Sequence, residues 1–385
     1  MKDSYPFPIA RIGLVGGGQL GRMMVKAAKR LGCTCVVLDP YPKSPAGQVA
    51  GEQIIGGYHD PAKLRELAES CDVVTYELED IDTETLRQLE LEGHKINPAP
   101  ALLSTLQDKL TQKRFLSQAN IPTAEFIEMA EPNLADFESF GFPLVQKARR
   151  GGYDGRGVSV MLDADAFNAH LPVPSLVERF IEADKELAVM VARRANGDCV
   201  AYPTVEMCFR AGENVLDLLL CPAKVDRAIA QQAEALAMRT INALEGVGMF
   251  GVELFLTADG ELLVNEIAPR THNSGHHTIE ACITDQFEQH LRAVLDLPLG
   301  STEQLAPAAM INLLGEADAV GTPVFNGLQE ALAIPGVCLH IYGKAEVKPF
   351  RKMGHVTVID QDLDSARTKA EQVRDIIQIC GEQHP

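Results

Sequence analysis

Short apolar runs alternate with helical spacings over residues 9–80. "IARIGLV" reads as a strand, Gln19 to about Leu31 as an amphipathic helix, "TCVVLD" as a strand, 61–69 as a helix and "CDVVTYE" as a strand. Alternation of this kind predicts a parallel sheet flanked by helices. Two prolines in "INPAPALL" interrupt it and place a domain boundary near 97–104. Beyond them "LSTLQDKLTQKRFLSQAN" has the spacing of a helix, and short strands with hairpin turns follow to about residue 290. One long amphipathic helix lies in "DRAIAQQAEALAMRTINAL", begun by Asp226. The remainder carries the strand "HVTVID" and a terminal helix around 363–379.

Charge narrows the choice of partners. With 53 acidic against 35 basic residues the chain carries a formal net charge of -18 and would repel a polyanion, so nucleic acid is not an expected partner. No basic segment leads into a long apolar stretch at the start, and no window holds the apolar run a membrane span needs, so no membrane partner and a cytoplasmic location are expected. Nine cysteines, scattered singly apart from Cys33 and Cys35, read as reduced thiols. Against the acidic background two basic clusters stand out: Lys147, Arg149, Arg150 and Arg156 among the glycines of "VQKARRGGYDGRGV", and Lys344, Lys348, Arg351 and Lys352. Local basic clusters in an acidic chain suit a small phosphate-bearing ligand.

Gly16, Gly18 and Gly21 satisfy G-x-G-x-x-G between a strand and a helix, and Asp39 ends the next strand. Taken alone the motif marks a dinucleotide site, a site for another nucleotide-like ligand or a structural turn, because glycines permit any phosphate or sugar to approach a helix N-terminus closely.

"GVELFLTADGELLVNEIAPR" is the most informative stretch. Asp259-Gly260 is a two-residue hairpin signal between apolar runs. In that register Ala258 faces Glu261, Phe255 faces Val264, and Glu253 faces Glu266 with Cβ atoms about 4.5–5.5 Å apart. Like charges so placed are destabilising unless a cation lies between them, and carboxylate oxygens completed by water and phosphates are how proteins hold magnesium. A one-residue slip would instead leave ordinary solvent-facing acids.

A lysine on the short strand "LVQKA", a glycine-rich loop and a distant carboxylate pair together form a kit for a nucleoside triphosphate, without the G-x-x-x-x-G-K-[ST] loop. At these residues the chain resembles the ATP-grasp superfamily. "GLVGGGQLGRM", "TYELEDI", "KARRGGYDGRG", "LFLTADGELLVNEIAPRTHNSGHHTIEA" and "KPFRKMGH", in this order over nearly the whole chain, resemble the 5-(carboxyamino)imidazole ribonucleotide synthetase family within it. The resemblance implies an α/β and α+β fold with an N-terminal Rossmann-like domain 1–103, an ATP-grasp region 104–290 with a mobile lid at about 115–180, and a small C-terminal β-rich domain 291–385. It also implies ATP-dependent carboxylation of 5-aminoimidazole ribonucleotide with bicarbonate through carboxyphosphate, in a homodimer using magnesium or manganese.

Carried over by position, the resemblance puts Lys109, Lys147, Asn265 and Glu266 at the ATP phosphates and their metal. Gly152, Tyr153, Asp154, Gly155, Arg156 and Gly157 become the closing loop, Glu178, Arg179, Phe180 and Ile181 the hinge at the adenine, and Glu186 the ribose contact. Glu253 and Glu266 would hold the metal. Gly18, Gln19, Leu20, Glu77, Tyr153 and Arg156 would face the aminoimidazole nucleotide, Lys344, Arg351 and Lys352 its phosphate, and Arg270, His272 and Asn273 the bicarbonate. Arg270, Asp154 and Lys344 are the catalytic candidates. His276 and His277 are expected to cap a helix beginning near Thr278. Phe209, Lys348, Phe350 and Ala268 depart from the family pattern. Another ATP-grasp ligase, acting on formate or biotin, would share Glu253, Glu266 and the lysines. A nicotinamide-dependent dehydrogenase built on the first glycine motif would leave the glutamate hairpin unexplained.

Overall fold

A computed structural model describes residues 5–152, 157–209 and 216–382. Strands β1 (Arg11–Val15), β2 (Thr34–Asp39), β3 (Gly51–Ile55) and β4 (Val73–Tyr76) form a parallel sheet in the order β3-β2-β1-β4. Alternate residues face opposite layers: Ile12, Leu14 and Val37 meet Met24 and Ala28 of the helix Gln19–Arg30, while Val15, Val36 and Leu38 meet Leu64 and Leu67 of the helix Pro61–Glu69. Asp60 caps the latter, accepting from the Ala62 and Lys63 N–H groups, with proline at the first turn.

The helical spacing over 103–120 resolves into two helices, Pro100–Gln107 and Lys109–Gln118. Between them Asp108 takes an extended backbone (φ −105°, ψ 110°), and its Oδ1 accepts from the N–H groups of Leu110 and Thr111. Apolar spacing runs through the break because Leu102, Leu106 and Leu116 pack into one core.

Strands β5 (Phe126–Met129), β6 (Leu144–Ala148), β7 (Val158–Met161) and β8 (Ser175–Arg179) form an antiparallel sheet ordered β5-β8-β6-β7. There follow β9 (Ala183–Arg193), β10 (Cys199–Ala201), β11 (Val205–Phe209), β12 (Leu216–Cys221), β13 (Gly248–Thr257), β14 (Leu262–Ala268), β15 (Ala308–Leu314), β16 (Thr322–Asn326), β17 (Val337–Ile341), β18 (Lys352–Ile359) and β19 (Gln378–Glu382). Most join one large sheet ordered β14-β13-β9-β11-β12-β15-β18-β17, with β10 on β9, while β16 pairs with β19. Because β12 pairs with β15, the sheet runs without a break past residue 290 into the carboxy-terminal segment. Helix Arg227–Leu244 covers β9 and β13 with Ala233, Ala237 and Ile241, and helix Leu363–Ile376 covers β15 and β18 with Ala366, Ala370 and Val373. The terminal helix thus stops at Ile376, short of the expected 379, because β19 takes up the chain at Gln378.

All nine cysteines are free thiols. Among the described residues no helix is long and apolar enough to cross a membrane.

Candidate active site

Glu253 and Glu266 do face each other in the β13–β14 hairpin, but the route to that register differs from the expected one. The turn holds three residues, closed by the Gly260 N–H donating to the Thr257 carbonyl and the Thr257 N–H to the Glu261 carbonyl, each at 3.0 Å. Leu254 therefore pairs with Val264 and Phe255 with Leu263, which corrects the expected Ala258–Glu261 and Phe255–Val264 pairs. The Thr257 hydroxyl drives the longer turn, accepting the Glu261 N–H at 3.0 Å and donating to Asp259 at 2.5 Å, with Gly260 at φ +86°. A bulge beside Glu253 then absorbs the extra residue, Asn265, and returns Glu266 to its partner.

Three lysines meet this hairpin. Lys109 opens the helix that Asp108 caps, and its Nζ lies 2.5 Å from Glu266 Oε1. That helix start is tied to the end of β6: the Lys109 N–H donates to the Arg149 carbonyl at 2.9 Å, and the Arg149 guanidinium holds Asp108 at 2.7 Å. Lys147 on β6 donates to Asn265 Oδ1 at 3.0 Å and pairs with Glu178 Oε2 at 2.6 Å. The other oxygen of Glu178 lies 3.0 Å from Lys113 Nζ. Lys109, Gln112, Lys113, Lys147, Glu178, Asn265 and Glu266 line a cavity of about 10 Å³, room for one water at most. Sequence reasoning missed Gln112 and Lys113. The available signal was spacing, since Lys113 follows Lys109 by four and shares its helix face.

The carboxylates are not equivalent. Burial first, then the charges of Glu266 and Glu186, push Glu253 up to about 7. Burial works against the charge of Glu266 too, but Lys109 outweighs it and holds that group below the usual range. Glu178, unlike those two part-exposed side chains, is buried outright, and its two lysines hold it down at about 2. Burial raises Glu186, whose strand β9 lies beside β13. Among the described residues no cluster of three His, Cys, Asp or Glu side chains could hold a metal, so a cation here would rest on Glu253 and Glu266 with ligand oxygens and water.

The first glycine turn already holds carboxylates. Glu77, at the end of β4, accepts from the N–H groups of Gly18 and Gly21, while Asp39 accepts from Gly17 at 2.9 Å and from the Tyr58 hydroxyl at 2.7 Å. A pyrophosphate would have to displace both, which disfavours the dinucleotide reading. Gln19 and Leu20 form the first turn of the helix behind Glu77. Arg270, just past β14, bridges the two halves: its Nε lies 2.8 Å from Glu79, and it feels the charges of Glu77 and Glu266.

His272 Nε2 lies 3.6 Å from Glu253, and both amide atoms of Asn273 are buried without a hydrogen-bond partner among the described residues. His276 and His277 do not cap the helix Thr278–Ala281 with their side chains. Both are buried, His277 Nδ1 meets the Ser274 carbonyl at 3.1 Å, and His276 Nδ1 meets Gln286. Lys344 donates to the Lys352 carbonyl at 2.6 Å, and Arg351 to the Glu346 carbonyl at 2.8 Å. This basic segment reaches the amino-terminal domain through Gln48, which donates to the Gly343 carbonyl at 2.7 Å. Arg179 turns away from the cavity, lying over the Phe140 ring at 4.3 Å, while Phe180 and Ile181 link β8 to β9. Gly152 and Gly157 flank the lysine strand's loop, and Tyr153, Asp154, Gly155 and Arg156 lie outside the described residues.

Comparison with known proteins adds independent findings. Three family models match: a ribonucleotide synthetase preATP-grasp domain over residues 9–107, an ATP-grasp domain over 114–287, and a phosphoribosylaminoimidazole carboxylase C-terminal domain over 308–369. The N5-carboxyaminoimidazole ribonucleotide synthase of Bacillus subtilis is 41% identical over 372 residues, covering 94% of this chain and 95% of its own. The crystal structure of N5-carboxyaminoimidazole ribonucleotide synthetase from Thermotoga maritima superposes with a TM-score of 0.91 at 49% identity, over 97% of this chain and 100% of that one. The Aspergillus clavatus enzyme, solved with ADP and 5-aminoimidazole ribonucleotide, gives a TM-score of 0.88 at 37% identity, over 95% of this chain and 98% of that one.

Proposed function

The chain belongs to the N5-carboxyaminoimidazole ribonucleotide synthase family, ATP-dependent ligases of purine biosynthesis, and from that premise we propose how its residues carry the reaction with bicarbonate as the carboxyl donor. A bicarbonate oxygen attacks the γ-phosphorus of ATP, the bond to ADP breaks, and carboxyphosphate forms. The exocyclic amine of 5-aminoimidazole ribonucleotide then attacks the carboxyl carbon, phosphate leaves, and the amine loses a proton.

Lys109 and Lys147 neutralise charge on the transferring phosphoryl group. Glu178, Phe180 and Ile181 take the adenine, Glu186 the ribose, and the 152–157 loop covers the phosphates. The residues fit a divalent cation, because the register forces Glu253 against Glu266 and their repulsion helps hold Glu253 near 7. Magnesium or manganese bound there would neutralise phosphate charge. Arg270 lies between the two halves, with its guanidinium fork suited to a planar oxyanion, and Asn273 offers an unpaired donor and acceptor to bicarbonate. Gly18, Gln19, Leu20 and Glu77 face the ribonucleotide, Lys344, Arg351 and Lys352 its phosphate, and Tyr153, Asp154 and Arg156 reach it from the loop. A homodimer in the cytoplasm belongs to the same proposal.

The observation that carries this reading is the glutamate pair facing Lys109 and Lys147. Its test is ADP release from magnesium-ATP and bicarbonate, with and without 5-aminoimidazole ribonucleotide, in wild type and Glu266→Gln. Stimulation by the ribonucleotide is expected, and its loss in the variant. ATP hydrolysis that the ribonucleotide leaves unchanged would point to a different acceptor.

A further inference from the structure

Two of the three lysines in the cavity share one carboxylate, and their hydrogen-bond inventories differ. An ammonium has three N–H donors. Lys113, 2% exposed, hydrogen-bonds Thr123 Oγ1 at 2.6 Å and the Val264 carbonyl at 3.3 Å, and it forms an ion pair with Glu178 Oε1 at 3.0 Å outside hydrogen-bonding geometry. Lys147 forms an ion pair with Glu178 Oε2 at 2.6 Å and, among the described residues, a single side-chain hydrogen bond, to Asn265 Oδ1 at 3.0 Å, so it is held by fewer fixed partners than Lys113. We propose that Lys113 is a positioning residue, the permanent counter-ion of Glu178, and that Lys147 is the exchangeable one, which leaves Glu178 for a phosphate when nucleotide enters.

The geometry favours this division. Lys113 is braced from three elements: its own helix, the strand β14 through Val264, and the segment before β5 through Thr123. Lys147 and Glu178 line the same cavity as Lys109 and Glu266, so a phosphate that takes the Lys147 ammonium competes directly with the 2.6 Å pair to Glu178. If Lys147 left Glu178 with no second cation nearby, a buried carboxylate would be stranded, and stranding a buried charge is strongly unfavourable. Lys113 removes that obstacle. It keeps Glu178 ionised and fixed after Lys147 departs, with Oε2 turned to the incoming base. The inference rests on the reading of this cavity as the ATP site.

The test measures KM for ATP and kcat in the full enzyme for Lys113→Met, Glu178→Gln, their double variant and Lys147→Met. Lys113→Met is expected to raise KM for ATP by about tenfold or more, with a smaller effect on kcat. The double variant is expected to bind ATP better than Lys113→Met alone, because a neutral amide in place of the Glu178 carboxylate no longer retains Lys147. Additive penalties, or an unchanged KM in Lys113→Met, would overturn the proposal. An unchanged KM in Lys147→Met would instead remove the ATP-site premise and the proposal with it.

A crystal structure of the wild type with ADP provides a check independent of how the variants fold. Lys147 should lie on a phosphate with the Lys113–Glu178 pair intact. Lys113 on the nucleotide, or Glu178 turned away from it, would overturn the assignment.

Discussion

Gly18 leaves no room for a side chain: a Cβ there would lie 2.6 Å from Glu77 Oε1. Gly18→Ala should therefore push the Glu77 carboxylate off the helix terminus. KM for 5-aminoimidazole ribonucleotide should rise at least tenfold while KM for ATP stays within about twofold. Parallel titrations of both substrates check this, and an equal rise in both would remove Gly18 from the ribonucleotide side. The glutamate pair makes an opposite kind of prediction. Without a cation Glu253 and Glu266 repel, so Glu253→Gln should unfold at higher temperature than wild type in EDTA, by roughly 1–2 kcal/mol of stability. With magnesium-ATP the order should reverse, since the variant loses a metal ligand. Thermal melts in the two buffers decide it.

Local elements were readable wherever their cause was local. The strand "TCVVLD", the helix 61–69 behind Asp60 and the facing of Glu253 and Glu266 all follow from apolar period and turn residues. The hairpin also marks where such reading stops. A Thr257 hydroxyl lengthened the turn by one residue and a bulge at Asn265 cancelled the shift, so the right pair arose by an unforeseen path. The break at Asp108 was hidden because both helices feed one core. Its capping bonds and its Arg149 partner come from separate parts of the chain. Asp108→Ala should lose the cap and one of the two carboxylates on the Arg149 guanidinium, Glu128 remaining at 2.9 Å, costing about 1–2 kcal/mol. Asp108→Asn keeps the cap and should cost about half as much. Urea unfolding of both variants tests the ordering.

At the scale of the molecule, His290 ties the amino-terminal sheet to the main one. Its Nδ1 accepts the Met249 N–H at 3.1 Å, so its protonated Nε2 donates to Thr75 Oγ1 at 2.7 Å. Both ring nitrogens are thus used by the neutral tautomer, and burial pushes the imidazole down to about 4. The unfolded chain takes up that proton first, near pH 6.5, so stability present above this pH is lost as pH falls toward 4. The loss from this group between pH 7.5 and 5 should be about 2 kcal/mol. His290→Gln should flatten the pH profile of urea unfolding by that amount. A profile as steep as wild type would assign the acid sensitivity to the buried His276, His277 and His355.

None of these long-range ties was legible in the sequence. Neither His290 nor Lys113 carries a pattern that announces its distant partners, since each is defined by elements that meet only after folding.

The pairing of β12 with β15 bears on what happens when the chain is cut. Cleavage before Ala308 would leave the inner strand Leu216–Cys221, with Leu218, Leu219 and Leu220 nearly fully buried in the intact protein, as a bare sheet edge. Open apolar edges recruit strands from other molecules. A fragment ending near residue 300 is therefore expected to aggregate rather than persist as a small nucleotide-binding unit, and the carboxy-terminal segment acts as the sheet's protective selvage.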